Sequence, residues 1–548
     1  MEDSVNRPRN LTLAVMFVIL AAAFSTASDI YIAQNAAGGN TGADCADAYA
    51  AAWFNSAANW GSNAGQIGPG TTVHLCGTFT SQLSGQGSGS SGSPITVLFE
   101  SGAQISVPFC PSNGCMNFNG SSYLTIDGGT ACGPRTACNS SLSGTGSITN
   151  TANGTGRANQ APSQAIYCKG CSNVVIENLL IQNLYVHTSV SDSVVDQTEV
   201  NCVYVSGSNI SVHDSTMHDA GWCLIDSFQS GDANVSFYNI DVHNIDHGYV
   251  LSGPVSSITA GPFYFYNNDI YGFSNWDTTS NDYHHDGIHC FSGNTSGQTI
   301  NGWYVYNNTI GNPNYTSGAN INSFIYIEGS TGPPCATATS PIYIFNNIFL
   351  IDHYSTAGHM GLFSGKPVAY NNTLISTDSN SGGTCWTNTG AYGGIGAATM
   401  QNNAIGNCFI LASYTPGSWL SGSPNHNVYG YTSGNTGSDF YCGGQTSFSG
   451  WQTCAGGTKD ANSLGQSSIN VSTTTGVPNS GSPVIGAGTN LYSVCNGQAN
   501  PGLGALCYDQ NGNARPSTGA WDAGAINYAS GGGATAPAPP TGLAATVQ

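Results

Sequence analysis

A short asparagine step returns at least eight times along the middle of this chain, and it limits the possible folds more than any other feature. The copies read Ile176-Glu177-Asn178, Val212-His213-Asp214, Phe237-Tyr238-Asn239, Tyr266-Asn267-Asn268, Tyr306-Asn307-Asn308, Phe345-Asn346-Asn347, Tyr370-Asn371-Asn372 and Gln401-Asn402-Asn403. Most follow a β-branched or aromatic run and precede another apolar pair. Recurrence of this kind marks a stacked repeat architecture. Counted between closing residues, from 178 to 214 and on to 403, the steps are 36, 25, 29, 40, 39, 25 and 31. No module of fixed length is being copied. A coil of constant cross-section with loops of variable length fits the spacing. Asparagine suits a coil corner because it tolerates a left-handed backbone, and its amide can bond the amides one rung above and below. One column of these eight closing residues along the axis is therefore expected.

A second segment recurs in phase with the first. It reads Val203-Tyr204-Val205-Ser206-Gly207, Leu224-Ile225-Asp226-Ser227, Val250-Leu251-Ser252-Gly253, His289-Cys290-Phe291-Ser292-Gly293, Tyr326-Ile327-Glu328-Gly329 and Leu362-Phe363-Ser364-Gly365. With two strand-type segments per coil, the stretch from about 170 to 410 resembles a right-handed parallel β-helix solenoid, the pectin-lyase-like architecture of many secreted polysaccharide-active enzymes and some adhesins. The resemblance implies an all-β fold. It says little about substrate, because one fold hosts many functions.

The N-terminus has the pattern of a secretory signal over 1–28. Arg7 and Arg9 precede an apolar run, Leu11 to Phe24, and small residues follow at Ser25-Thr26-Ala27-Ser28. The apolar run is shorter than the roughly 20 residues a spanning helix needs, and no later stretch is long and apolar enough to span. The 18 cysteines suit an oxidising, extracellular or periplasmic compartment. Cys110/Cys115, Cys132/Cys138, Cys168/Cys171, Cys442/Cys454 and Cys495/Cys507 are close enough in sequence to clip loops. Cys168-x-x-Cys171 has no second CxxC to complete a zinc site.

Charge bounds the partners. Only 7% of residues are charged, and 28 Asp+Glu oppose 8 Lys+Arg. The balance makes nucleic acid and anionic membranes unsuitable partners. It also disfavours polyanionic polysaccharides unless calcium bridges the charges. With 9 Trp, 27 Tyr and 20 Phe, the high Gly and Ser content does not signal disorder. Residues 29–162 form the entry to the solenoid. There, Ala-rich Cys45 to Phe54 has helical propensity and suits a short helix capping the open core end. A central β-helix spans 163–410, with C-terminal coils and a cap over 411–530. The Pro/Ala-rich tail, 531–548, resembles a linker and first strand of a fibronectin-III module.

The densest ionisable cluster is Asn281-Asp282-Tyr283-His284-His285-Asp286-Gly287-Ile288-His289, with three of the 12 histidines. Aligning the second segment on its Ser-Gly step puts Asp286 in register with Asp246. Gly287 then falls level with His247 and, two coils on, with His359. Rungs lie about 4.8 Å apart. Two carboxylates on adjacent rungs would thus have roughly the 5 Å separation of a retaining glycosidase. Close like charges would split their pKa values into an acid and a base. Asp246, Asp286, His247, His285 and His289 are the candidate catalytic set. Asp226 and Glu328, which follow apolar pairs, are placed in the same groove with His284, Tyr283, His359, Lys366 and Trp276 as substrate contacts. Trp222 and Trp303 would also stack on sugar rings if exposed, although the strand position of Trp222 suits packing. The plainer alternative is that Asp246-His247 caps a turn. A metal site drawn from His284, His285, Asp286 or His289 is a further alternative, but adjacent His284 and His285 point to opposite faces when extended. The expected set contains no metal and no cofactor, with calcium as the possible ion.

Asp286-Gly287-Ile288 is similar to the Asp-Gly-aliphatic step of polygalacturonase-type glycosidases, and Asp246-His247-Gly248 is similar to their Gly-His-Gly. The chain lacks the family's Asp-Asp pair on the following coil and its Arg-x-Lys motif, and the motif order is reversed. The resemblance therefore implies only an acid/base role for Asp286. Together these readings favour a secreted, monomeric glycoside hydrolase acting on a neutral or weakly charged polysaccharide along coils 202–366. A polysaccharide lyase, calcium-assisted or relying on Lys366 and the histidines, is one alternative. A non-catalytic carbohydrate-binding or adhesin β-helix is another.

Overall fold

The computed structural model describes residues 29–130, 133–134, 144–152, 161–185, 200–253, 258–273, 285–292, 299–312, 322–327, 341–351, 360–362, 367–376, 383–388, 399–414, 424–431, 439–454, 460–496 and 501–528. The signal sequence, Trp276, Tyr283, His284, Glu328, His359, Lys366, Cys132/Cys138 and the Pro/Ala-rich tail lie outside the described residues.

The chain winds as a parallel β-helix with three sheet faces. On the first face Asp29–Ala33 pairs with Thr72–Cys76, which pairs with Ile95–Phe99 and then Ser122–Asp127. The same face continues through Phe263–Tyr266, Trp303–Tyr306, Ile342–Phe345 and Pro367–Tyr370. The second face carries Asp269–Phe273, Thr309–Ile310, Ile348–Ile351 and Thr373–Ser376. The third face carries the end of Val235–Gly253, then Asp286–Ser292, Ser323–Ile327 and Met360–Leu362. Alternate residues point inward, so one apolar core runs along the axis from Ile30 to Trp451. The N-terminal helix is only Ala51–Phe54, preceded by a 3-10 turn at Cys45–Asp47. Its Phe54 is fully buried and meets Trp60 and Phe118 edge-on, covering the first coils.

The corner between the first and second faces shows why asparagine recurs. Two adjacent positions divide the work. The first holds a left-handed backbone: Asn178, Asp214, Asn239, Asn267, Asn307, Asn346, Asn371 and Asn402 have φ between 50° and 60°. The second points inward and forms a ladder. Each Nδ2 of Asn268, Asn308, Asn347, Asn372 and Asn403 donates to Oδ1 of the next rung at 3.0–3.1 Å, ending on Asn427. Each also donates to a backbone carbonyl, as Asn347 does to Val305 at 2.9 Å. The expected single column is thus two columns. Asn178, Asp214 and Asn239 belong to the left-handed one, because Tyr238 pairs with Tyr266 and sets Asn239 level with Asn267. Their inner neighbours are Leu179, Ser215 and Ile240, and Ile240 N donates to Asn268 Oδ1 at 2.9 Å. The ladder closes on Asp460, whose Oδ1 accepts from Asn427 at 2.9 Å.

Tyr238, Tyr266, Tyr306 and Phe345 stack outside this corner with centroids 4.8 Å apart. A C-terminal segment folds back over the later coils. Its Leu491, Leu503, Leu506 and Trp521 pack on Tyr304, Tyr306 and Phe345. Buried Arg515 bonds Asn346 Oδ1 at 2.9 Å and Asn527 Oδ1 at 2.7 Å. Disulfides join Cys45–Cys76, Cys110–Cys115, Cys168–Cys171, Cys202–Cys223, Cys385–Cys408, Cys442–Cys454 and Cys495–Cys507. Local clips therefore exist at four of the expected pairs, and of the three further bridges Cys202–Cys223 and Cys385–Cys408 link residues one coil apart. No helix among the described residues is long and apolar enough to cross a membrane.

Candidate active site on the third face

The cluster sits where the chain turns onto the third face in two successive coils. His247 pairs with Asp286, Tyr249 with Ile288 and Leu251 with Cys290. This register is one residue away from the Ser-Gly alignment, so Asp286 lies beside His247 rather than Asp246. The reason is burial parity. Ile288 and Cys290 join the core with Tyr249 and Leu251, and a one-residue slip would turn His289 inward. His289, between two inward residues, points away from the core.

Asp246 is the hub of the cluster. Its Oδ2 accepts from His247 Nδ1 at 2.7 Å and from Trp222 Nε1 at 3.1 Å. Its Oδ1 accepts from His285 Nδ1. Burial pushes the Asp246 carboxyl up, but His285 and then His247 outweigh it and hold the group well below the usual carboxylate range. Burial pushes His247 down, while Asp246 and then Asp286 push it up further, to about 9. His247 Nε2 lies 3.3 Å from Asp286 Oδ2 and 3.1 Å from His289 Nδ1. His289 Nδ1 is 3.6 Å from Asp286 Oδ2. The other Asp286 oxygen accepts from Ser323 N at 2.9 Å and Asn322 Nδ2 at 3.3 Å. Trp222 lies over His247, with centroids 4.8 Å apart, and Tyr326 meets His289 edge-on.

The structure thus brings together all five residues of the candidate catalytic set, but not in the expected form. An imidazole stands between Asp246 and Asp286, so the two carboxylates cannot flank one glycosidic bond. The expected open groove is also absent at this point: exposure is 0% at Asp246 and Asp286, 1% at His247 and His289, and 3% at His285. One Asp286 oxygen is held by a backbone amide, in part the turn-cap role, while the other faces the imidazoles.

Asp226 is a correction. It pairs with Leu251 and points into the core, fully buried, with neither carboxylate oxygen hydrogen-bonded. Burial, and then Asp232, push its pKa well above the ordinary value. It contacts no groove. Trp303 is likewise a core residue, with 0% exposure.

Sequence reasoning missed Asn322 and Ser323, because their role depends on pairing across 36 and 37 residues. It also gave Trp222 no polar role. A second group lay within reach of the sequence as His-Asp doublets. On the second face His218 bonds Asp219 at 2.7 Å, and His243 bonds Asp241 at 2.6 Å. His218, His243 and Tyr271 stack with centroids 4.7 and 5.0 Å apart. Unlike the third-face cluster, this row is partly exposed.

No family model matches this chain, and no curated protein matches it. Among solved structures, a crystal structure of pectate lyase Pel9A is similar at 14% identity, with 92% of this chain and 98% of that chain covered and a TM-score of 0.40. A structure of XylC with xylose is similar at 10% identity, with 91% and 98% covered and a TM-score of 0.45. Neither likeness bears on the site, and the fold rests on the rung-by-rung pairing above.

Proposed function

We propose that the protein is a secreted enzyme that cleaves a neutral or weakly charged polysaccharide by hydrolysis, with Asp286 as the acid–base carboxylate of the third-face cluster. The observation that carries this reading is the connected array Asp246–His247–Asp286–His289, buried on the outward side of two successive coils. Buried charges are costly unless paired, and clusters of strongly shifted groups concentrate at functional sites. Asp246, held by Trp222 and His285, is a positioning residue that keeps His247 oriented and charged. His247 in turn faces Asp286 and His289, so a proton at Asp286 is controlled by its neighbours rather than by water. The disulfides support an oxidising compartment. Charge supports a neutral substrate. The described residues include only two Lys or Arg, Lys169 and Arg515. Arg515 is buried beneath the C-terminal segment, and Lys169 lies on the Cys168–Cys171 loop. Among the described residues no Lys or Arg is therefore placed at the cluster to neutralise a uronate; Arg135, Arg157, Lys366 and Lys459 lie outside them.

A panel of plant and microbial glycans tests the proposal. New reducing ends without the absorbance of an unsaturated uronate are expected. Reducing ends with that absorbance would replace hydrolysis by elimination. No cleavage on any glycan would overturn the enzymatic reading in favour of binding or adhesion.

A further inference from the structure

We propose that His247 Nε2, His289 Nδ1 and Asp286 Oδ2 bind one divalent transition-metal ion of the zinc type. The proposal deepens the reading of the same cluster, but it is read out by metal uptake without any glycan, so the two can fail separately.

The three atoms are 3.1, 3.3 and 3.6 Å apart. Zinc bound tetrahedrally to imidazole and carboxylate, at roughly 2.0–2.1 Å, requires ligand atoms about 3.3–3.4 Å apart. A point about 2.05 Å from all three atoms lies roughly 0.7 Å out of their plane, where a tetrahedral ion sits. The fourth position is left to a water or a substrate oxygen.

A metal-binding histidine needs its other nitrogen committed as a donor, commonly to a carboxylate. His247 Nδ1 is so committed to Asp246, so that Nε2, on losing its proton as the ion binds, presents its lone pair to the cluster. Asp246 is itself fixed by His285 and Trp222. Asp286 Oδ1 is held by Ser323 N and Asn322 Nδ2, and Oδ2 lies 3.3 Å from His247 Nε2 and 3.6 Å from His289 Nδ1. Three potential ligands, each 0–1% exposed, are thus brought together, with outer partners in place for His247 and Asp286.

Two imidazoles and one carboxylate suit zinc and its neighbours, whereas calcium and magnesium take all-oxygen sites. A contrasting group is Glu177, His213 and Asp214 on the outside of the first face. It has one imidazole and is partly exposed. His213 spends Nδ1 on Asp214 at 2.7 Å and approaches Glu177 at 3.5 Å. It serves as the internal control. Binding at the third face would make Asp286 a ligand. As a ligand it could not also serve as the acid–base group, and the ion's positive charge would leave the choice between hydrolysis and elimination to the glycan panel above.

The test uses the full, oxidised chain freed of metal by chelation. Zinc titration followed by calorimetry should give one ion per chain, and cobalt should give the intense visible bands of a tetrahedral site. His247→Ala and His289→Ala should each abolish the cobalt bands. Asp246→Asn, which touches no ligand atom of the ion, should weaken binding about 10–100-fold. His213→Ala should leave uptake unchanged, and calcium should not compete. Circular dichroism checks that each variant folds. The proposal is overturned if the folded wild type takes up neither zinc nor cobalt. It is also overturned if uptake survives both histidine substitutions or disappears with His213→Ala. Glycan cleavage by a protein without metal uptake would sink the metal site alone. Metal uptake without cleavage of any glycan would sink the hydrolase alone.

Discussion

The asparagine corner and the third-face cluster both bury polar side chains completely, yet they solve the problem in different ways. In the ladder every rung offers the same donors and acceptors to the next. Asn347 donates to Asn372 Oδ1 and Val305 O, and accepts from Asn308 N and Nδ2, all at 2.9–3.0 Å. Neutral groups are satisfied by repetition, and the solution can be extended by adding coils. The cluster near Asp246 and Asp286 uses five ionisable groups of two kinds, found together in one place on the axis. Its charges are balanced locally and cannot be propagated. A buried arrangement that repeats serves the fold, and one that breaks the repeat at some cost in desolvation is the candidate for chemistry.

Substitutions can break this comparison, and the largest effect is expected in the ladder. Asn347→Ala removes four side-chain hydrogen bonds and leaves Asn308 N without its acceptor, while Asn308 Nδ2 keeps Phe265 O and Asn372 Oδ1 keeps Asn347 N. At about 1 kcal/mol for each hydrogen bond lost, the loss should be about 4 kcal/mol. Chemical denaturation should show it, and a change below about 1 kcal/mol would mean that the ladder does not hold the corner. For the cluster the expected loss is in turnover rather than fold. Asp286→Asn should lower the turnover of a confirmed substrate at least about hundredfold, the scale of lost acid–base catalysis, with its circular dichroism unchanged. Near-full activity would leave the cluster a purely structural device.

A sharper comparison sets two buried carboxylates side by side. Asp460 is fully buried and accepts from Asn427, Ser463, Trp451 and Tyr429. Asp226 is fully buried and hydrogen-bonded to nothing. Burial raises both, Asp226 well above its ordinary value. The sign of the pH effect follows from this. The unfolded chain releases the Asp226 proton above about pH 3.9, while the folded chain keeps it. The group therefore costs stability as pH rises from that value toward its folded pKa. Asp226→Leu should stabilise the protein by roughly 1–2 kcal/mol at pH 7, and by less at pH 4. Thermal unfolding at the two pH values checks both the sign and the trend. A destabilised variant would mean that Asp226 has a partner inside the core. The smallest effect belongs to the partly exposed second-face row. Asp241→Asn should cost less than about 1 kcal/mol, fall further with salt, and leave turnover unaltered. A large loss of activity there would move the site from the third face to the second.

Much of the architecture was legible in the chain, because a stacked coil must repeat its corner chemistry. The asparagine steps and the second in-phase segment specify a parallel β-helix without reference to any contact. Composition likewise bounds the partners, and the cysteine spacing anticipates four of the observed clips. The density of His and Asp at 285–289 marks the right place. Registration was not legible. The two asparagines of each step are identical in type, so only the backbone reveals that one turns the corner and the other fills the ladder. On the third face a Ser-Gly match outweighed the inward parity of Ile288 and Cys290, and the one-residue slip put Asp246 where His247 belongs.

Sequence by itself thus determined the coil, its corners and the neighbourhood of the chemistry, because these depend on residue type at recurring positions. The tertiary structure alone decided which side chains meet. It placed His247 between two carboxylates, brought Ser323 and Asn322 to Asp286 from the next coil, and turned Asp226 into the core. The physical reason is that facing alternates from residue to residue along a strand, while partners one rung apart can be 21 residues apart in one place and 50 in another, across loops of unequal length. A shift of one position, too small to disturb the repeat, is enough to exchange core for site.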